Sequence, residues 1–108
     1  MNYDASIAGR LDTVIHAPTR LAIVTLLSQL EYAEFAFLKD SLATTDGNLG
    51  SHLRVLDQAG YVAVSKEPVG RRQRTTYTLT AAGRSALNQY LSMLSDVIRA
   101  ARRKDEVS

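Results

Sequence analysis

The sequence predicts a mainly α chain with one small β-hairpin, an α+β fold, and three observations lead to it. Apolar residues recur at helical spacing in five separate segments. One stretch, 61–79, is instead rich in β-branched and aromatic residues on either side of a basic turn. Helix-ending or helix-starting residues (Ala17-Pro18, Thr44 to Gly47, Gly60, Thr80) fall between these segments.

The first helix is expected over 6–16, where Ile7, Leu11, Val14 and Ile15 form one stripe. Ala17-Pro18 interrupts it, because proline disfavours helical geometry in the residue before it, while Pro18 itself suits the first turn of a new helix. That helix, to about Leu30, is apolar nearly all round and belongs at the centre of the domain. Residues 31–35 make a short connection with room for one extended pair. Another short helix follows from Ala36 to about Ala43, with Phe37, Leu38 and Leu42 apolar. Thr44, Thr45 and Asp46 are N-cap candidates for a helix reaching Ala59. Its Leu49, Leu53 and Leu56 share one side, while Asn48, Ser51 and Arg54 lie off that stripe. Two helices separated by a few residues, within 18–59, make a helix-turn-helix.

Gly60 supplies the left-handed residue that ends a helix. A strand from Tyr61 to Pro68, a turn over Val69–Gln73 and a returning strand to Leu79 complete the hairpin over 61–79. Thr80 caps a last helix, 80–102, in which Leu87, Leu91, Leu94, Ile98 and Ala101 repeat with spacings 4-3-4-3, widened by Tyr90 and Val97. The tail from Arg103 is charged and expected to fray.

At 108 residues the chain suits a single domain, 1–108, with a modest core. No apolar run approaches the roughly 18 residues that span a bilayer, and the N-terminus does not read as a signal peptide, so a cytoplasmic setting is the expectation. Without cysteine there is no thiolate metal site, and His16 and His52 stand apart, so neither metal nor cofactor is expected. No nucleophile elbow, phosphate loop or dinucleotide fingerprint is present, which argues against an enzyme.

The net charge of +2 says little, but its distribution says more. Residues 1–53 carry three basic residues against six acids, whereas 54–84 carry six against two. Positive charge therefore gathers at the second helix of the helix-turn-helix and the hairpin, as on a surface that meets phosphate.

The order of elements is that of a winged helix-turn-helix, and the residues resemble a family as well. The run SHLRVLDQAGYVAV (51–64) leads into GRRQRTTYTLTAAG (70–83), and PTRLAIVTLL (18–27) precedes both. Together they resemble small bacterial winged-helix regulators of the MarR and ArsR groups over about residues 11–98. The resemblance implies a recognition helix in the major groove of double-stranded DNA with a wing on phosphate or the minor groove. Carried onto this chain, the recognition residues are Thr45, Asp46, Gly47, Asn48, Ser51 and His52, with Arg54 one turn on, placed for phosphate. Asn48 suits paired hydrogen bonds to adenine, and Ser51 a base or a phosphate. Asp46 suits the positive end of the helix dipole better than a base. His52 lies at the edge of the leucine stripe, where a histidine more often links helix and core. Gly47 and Gly50, unfavourable inside a helix, allow close approach either of DNA or of a neighbouring helix. Arg71, Arg72 and Arg74 reach from the hairpin, though one of them can serve to brace it.

The terminal helices carry more apolar surface than a small core covers. Ile7, Leu11, Val14, Leu87, Tyr90, Leu91, Leu94, Val97, Ile98 and Ala101 are therefore expected to join two copies into a homodimer on a palindromic operator. The expected role is a transcriptional repressor, with a small-molecule or protein effector unspecified. The alternative is a winged-helix module that docks a protein and binds no DNA.

Overall fold

The computed structural model describes residues 9–107, with side chains to Arg103. Its elements are α1 (Pro18–Ser28), β1 (Ala33–Glu34), α2 (Phe35–Leu42), α3 (Asp46–Gln58), β2 (Val62–Val69), β3 (Arg72–Leu79) and α4 (Ala81–Val107). The three strands form an antiparallel sheet in the order β1-β3-β2. This is the helix-turn-helix followed by a β-wing that the sequence predicts, with β1 added against the far side of β3.

The segment before α1 departs from expectation. Of the predicted helix 6–16, residues 6–8, and with them Ile7, lie outside the described residues; Gly9 and Arg10 are helical, and 11–16 are not. Asp12 is the cause. Its Oδ1 accepts from the backbone N–H groups of Val14 (2.9 Å) and Ile15 (3.3 Å), so the side chain offers the backbone an alternative to the helix ladder. The resulting turn drives Ile15 fully into the core while Leu11 and Val14 pack at its edge.

Pro18 opens α1, which buries Ile23, Val24 and Leu27 completely. Between α2 and α3 the turn is Ala43–Thr45. Ala43 takes a left-handed conformation (φ 49°) that lets the N–H groups of Ala43 and Thr44 reach back to the last carbonyls of α2. Leu38 of α2 and Leu49, Leu53 and Leu56 of α3 close over α1.

The wing spans nearly the expected residues, but its strands pair further and its turn is tighter than the sequence suggested. Val69 pairs with Arg72, so only Gly70 and Arg71 form the loop, and Gly70 supplies the positive φ (64°) that a two-residue hairpin needs. Pro68 lies within β2, opposite Gln73, and is tolerated because β2 is an edge strand. Beyond Val62 every residue of β2 is exposed, so the hairpin projects from the domain rather than covering its core.

Thr80 caps α4, its Oγ1 accepting from the Gly83 N–H (3.0 Å) and donating to the Gly60 carbonyl (2.6 Å). The helix continues past Arg102 to Val107, replacing the expected frayed tail. Ala86, Leu87, Tyr90 and Met93 bury one face of it, and His16 Nδ1 lies 2.7 Å from Tyr90 Oη.

Tyr61, at the foot of the wing, donates its hydroxyl to Asp12 Oδ2 (2.5 Å). That bond, reinforced by partial burial, pushes the phenol up to about 12. Because the folded value exceeds the unfolded value of about 10, the bond's contribution is complete below about pH 10 and is lost as pH rises through about 12. Alkaline titration of the thermal midpoint is therefore expected to fall more steeply in the native chain than in Tyr61→Phe. At pH 7 the variant is expected to be about 1 kcal/mol less stable. Parallel alkaline curves for the two proteins would remove this role.

Candidate nucleic-acid interface

The N-terminal turn of α3 is held by short-range contacts. Thr45 caps it, its side chain accepting from the Asn48 N–H (3.2 Å). Asp46, inside the first turn, is not the cap. It favours the helix dipole and pairs with Lys39 of α2 (2.9 Å), which raises the lysine's pKa through that hydrogen bond and the charge behind it. Asn48 Nδ2 donates to Thr44 Oγ1 (2.8 Å). This uses one of the two amide hydrogens and leaves the second, with Oδ1, available to the paired pattern that adenine presents.

Asn48, Ser51 and Arg54 are exposed, opposite the buried leucine stripe. A Cβ added at Gly47 or Gly50 would meet nothing within 4 Å among the described residues, so neither glycine serves packing there. His52 is half-buried. Its Nδ1 lies 3.1 Å from the Arg20 guanidinium, which also donates to the carbonyls of Val14 (2.6 Å) and Thr13 (3.3 Å). The expected link between recognition helix and core thus exists, made by an arginine on α1 that the sequence did not single out. A lone charge near the start of an otherwise apolar helix was the available signal.

The wing separates its arginines. Arg74 pairs with Glu67, its cross-strand partner in the ladder, and its guanidinium lies over the Tyr32 ring at 5.9 Å. Arg74, expected among the residues reaching DNA, here braces β2, β3 and the residue before β1. Arg71, on the two-residue loop, and Arg72 beside it are exposed and carry no ion pair among the described residues. Two uncommitted guanidinium groups therefore stand at the tip of a projecting hairpin, and Arg54 stands on the helix.

The residues assigned to a second copy also divide. Leu87 and Tyr90 are only 4 % exposed and belong to the chain's own core, so they must be struck from that face. Leu11, Val14, Leu94 and Val97 are partly covered. Leu91 and Ile98 remain half-exposed, seven residues apart, and Ala101 is exposed. Among the described residues no group of His, Asp and Glu is arranged to hold a metal, and no helix is long and apolar enough to cross a membrane.

A family model described as a winged helix DNA-binding domain matches residues 19–98. The chain belongs to this family, which is DNA-binding and not enzymatic. An uncharacterised protein of Methanocaldococcus jannaschii is 38 % identical over 78 residues, covering 72 % of this chain and 85 % of that protein. A structure described as a transcriptional regulator homologue from Pyrococcus horikoshii superposes with a TM-score of 0.79 at 32 % identity, covering 90 % of this chain and 94 % of that one. A MarR-family regulator structure from Enterococcus faecalis reaches 0.75 at 22 % identity over 98 % and 94 % of the two chains, and shares the fold. The winged helix read from the sequence is thus the family's fold.

Proposed function

We propose that this winged helix domain acts in the cytoplasm as a homodimeric, sequence-specific transcriptional repressor. The observation that carries the proposal is the pairing of an exposed polar helix face (Asn48, Ser51, Arg54) with two exposed arginines on a projecting hairpin that make no ion pair among the described residues. In the major groove, α3 presents Asn48 and Ser51 to base edges and Arg54 to phosphate, while Arg71 and Arg72 reach the backbone or the adjoining minor groove. Gly47 and Gly50 let the helix backbone come close to the duplex. Residues Leu91, Ile98 and Ala101 of α4 supply the contact between copies, with Leu94 and Val97 at its border. A dimer seated on a promoter would compete with the transcription machinery for the same duplex, which is the sense in which it would repress.

Selection from a random duplex pool tests this reading directly, since a dimeric reader yields a palindrome with half-sites about 34 Å apart. Recovery of no shared sequence, with no retention on heparin at low salt, would favour the protein-docking module instead. Arg71→Ala with Arg72→Ala is expected to weaken binding to selected and mixed-sequence duplexes alike, by about 10- to 100-fold. The slope of log affinity against log salt should become shallower by about 1.8, or 0.9 per lost phosphate contact. Unchanged affinity and slope would remove the wing from the interface.

A further inference from the structure

Arg20 hydrogen-bonds both to the turn preceding α1 and to α3. Its Nε and one terminal nitrogen hold the carbonyls of Val14 and Thr13, and the other terminal nitrogen reaches His52 Nδ1. A guanidinium has only N–H donors and stays charged in proteins, so the ring nitrogen facing it must be the acceptor. The imidazole proton is then confined to Nε2. That nitrogen has no hydrogen bond among the described residues and is not sealed from solvent. His52 also sits one helical turn after Asn48, on the same side of α3.

We propose that Arg20 is a positioning residue that fixes the orientation and the proton of His52, so that Nε2–H is presented as a donor to a base-edge acceptor. This rests on the DNA-reading proposal. The acceptors of matching chemistry in the major groove are guanine O6 and N7, adenine N7 and thymine O4. An unanchored imidazole exchanges its proton between both nitrogens and rotates; one held by Arg20 presents a single donor. The same guanidinium ties this donor to the Thr13–Val14 turn. That turn is itself bound to the foot of the wing through Asp12 and Tyr61, and to α4 through His16 and Tyr90.

Two measurements test the proposal, one of them without DNA. Long-range proton–nitrogen NMR of the intact chain labelled with nitrogen-15 histidine reports which ring nitrogen carries the proton, and His52→Ala assigns the signals by their disappearance. At pH 8 His52 is expected to show the Nε2–H form alone, and a mixture of both forms in Arg20→Ala. A proton on Nδ1 in the native chain, or no change in the variant, overturns the proposal.

In the second measurement, Arg20→Ala and His52→Ala are compared on the duplex recovered from the random pool and on a mixed-sequence duplex of equal length. Each is expected to lose about tenfold on the selected duplex and less than about threefold on the mixed one, with unchanged salt slope. The double variant should be no weaker than either single one. A slope shallower by about one unit would make Arg20 a phosphate contact, and equal losses on both duplexes would make its role structural; either overturns the proposal. Where Arg20→Ala does not fold, Arg20→Lys keeps the charge without the fork that spans carbonyls and ring, and the same losses are expected of it. If the native chain binds no duplex, the reading role of His52 falls with the DNA proposal, whereas the NMR result still decides whether Arg20 sets the ring.

Discussion

Gly83→Ala is expected to lower the thermal midpoint by more than about 10 °C, the consequence of a destabilisation on the order of 3 kcal/mol. Gly83 lies in the first turn of α4, where alanine would ordinarily gain about 1 kcal/mol over glycine. Here an added Cβ would stand 2.2 Å from the Tyr61 carbonyl oxygen and 2.7 Å from Leu79 Cδ1. The carbonyl cannot withdraw cheaply, because it accepts from the Thr80 N–H (3.0 Å) and Thr80 in turn caps α4 and holds Gly60. Moving it would disturb the helix cap and the foot of the wing together. Gly50→Ala is the matched control. Its Cβ would meet nothing, so the same substitution should leave the midpoint unchanged or raise it. A Gly83→Ala protein that melts within two or three degrees of the native chain would show that α4 shifts freely on the wing, contrary to the packing described.

That glycine also illustrates how far the sequence could be read. Thr80 was legible as a cap because its hydroxyl precedes a helical stripe, and the left-handed Gly60 because it follows one; both are local chemistry. Leu49, Leu53 and Leu56 were legible for the same reason, as a stripe that one helix must bury somewhere. Gly83 acquires its meaning only when Tyr61, twenty-two residues earlier, is laid against it. The end of the first helix was misread because Leu11, Val14 and Ile15 keep helical spacing while Asp12 redirects the backbone through its side chain. Periodicity registers the apolar residues and misses that competition. Likewise Arg71, Arg72 and Arg74 are alike as a run of charge. Only the strand register, which sets Glu67 opposite Arg74, separates the brace from the two free groups. The partners of Arg20 carry no such signal, because two are backbone carbonyls of a turn that the helical spacing conceals and the third, His52, lies thirty-two residues on.

Leu91→Arg with Ile98→Arg is expected to yield a folded monomer whose affinity for a palindromic duplex falls by about 10²- to 10⁴-fold, the advantage lost when two linked half-site contacts become one. Both side chains are about half exposed, at 49 % and 51 %, so arginine at either position leaves the core of Leu87, Tyr90 and Met93 untouched. The helix that carries them runs 27 residues, on the order of 40 Å. Its last core residue, Met93, falls less than halfway along. The chain accordingly extends 64 Å along one axis and only 24 Å and 23 Å along the others. A helix of that length with a heptad-spaced apolar pair, Leu91 and Ile98, left uncovered by its own core would be stabilised by packing on a like helix, and two-fold symmetry would make the contact self-complementary. Sedimentation should show half the native mass with an unchanged thermal midpoint at low concentration. Binding to a single half-site duplex should stay within a few-fold of native, because α3 and the wing are intact. A variant that still sediments as a dimer would move the interface elsewhere. A monomer with undiminished affinity for the palindrome would mean that one recognition helix reads the operator alone.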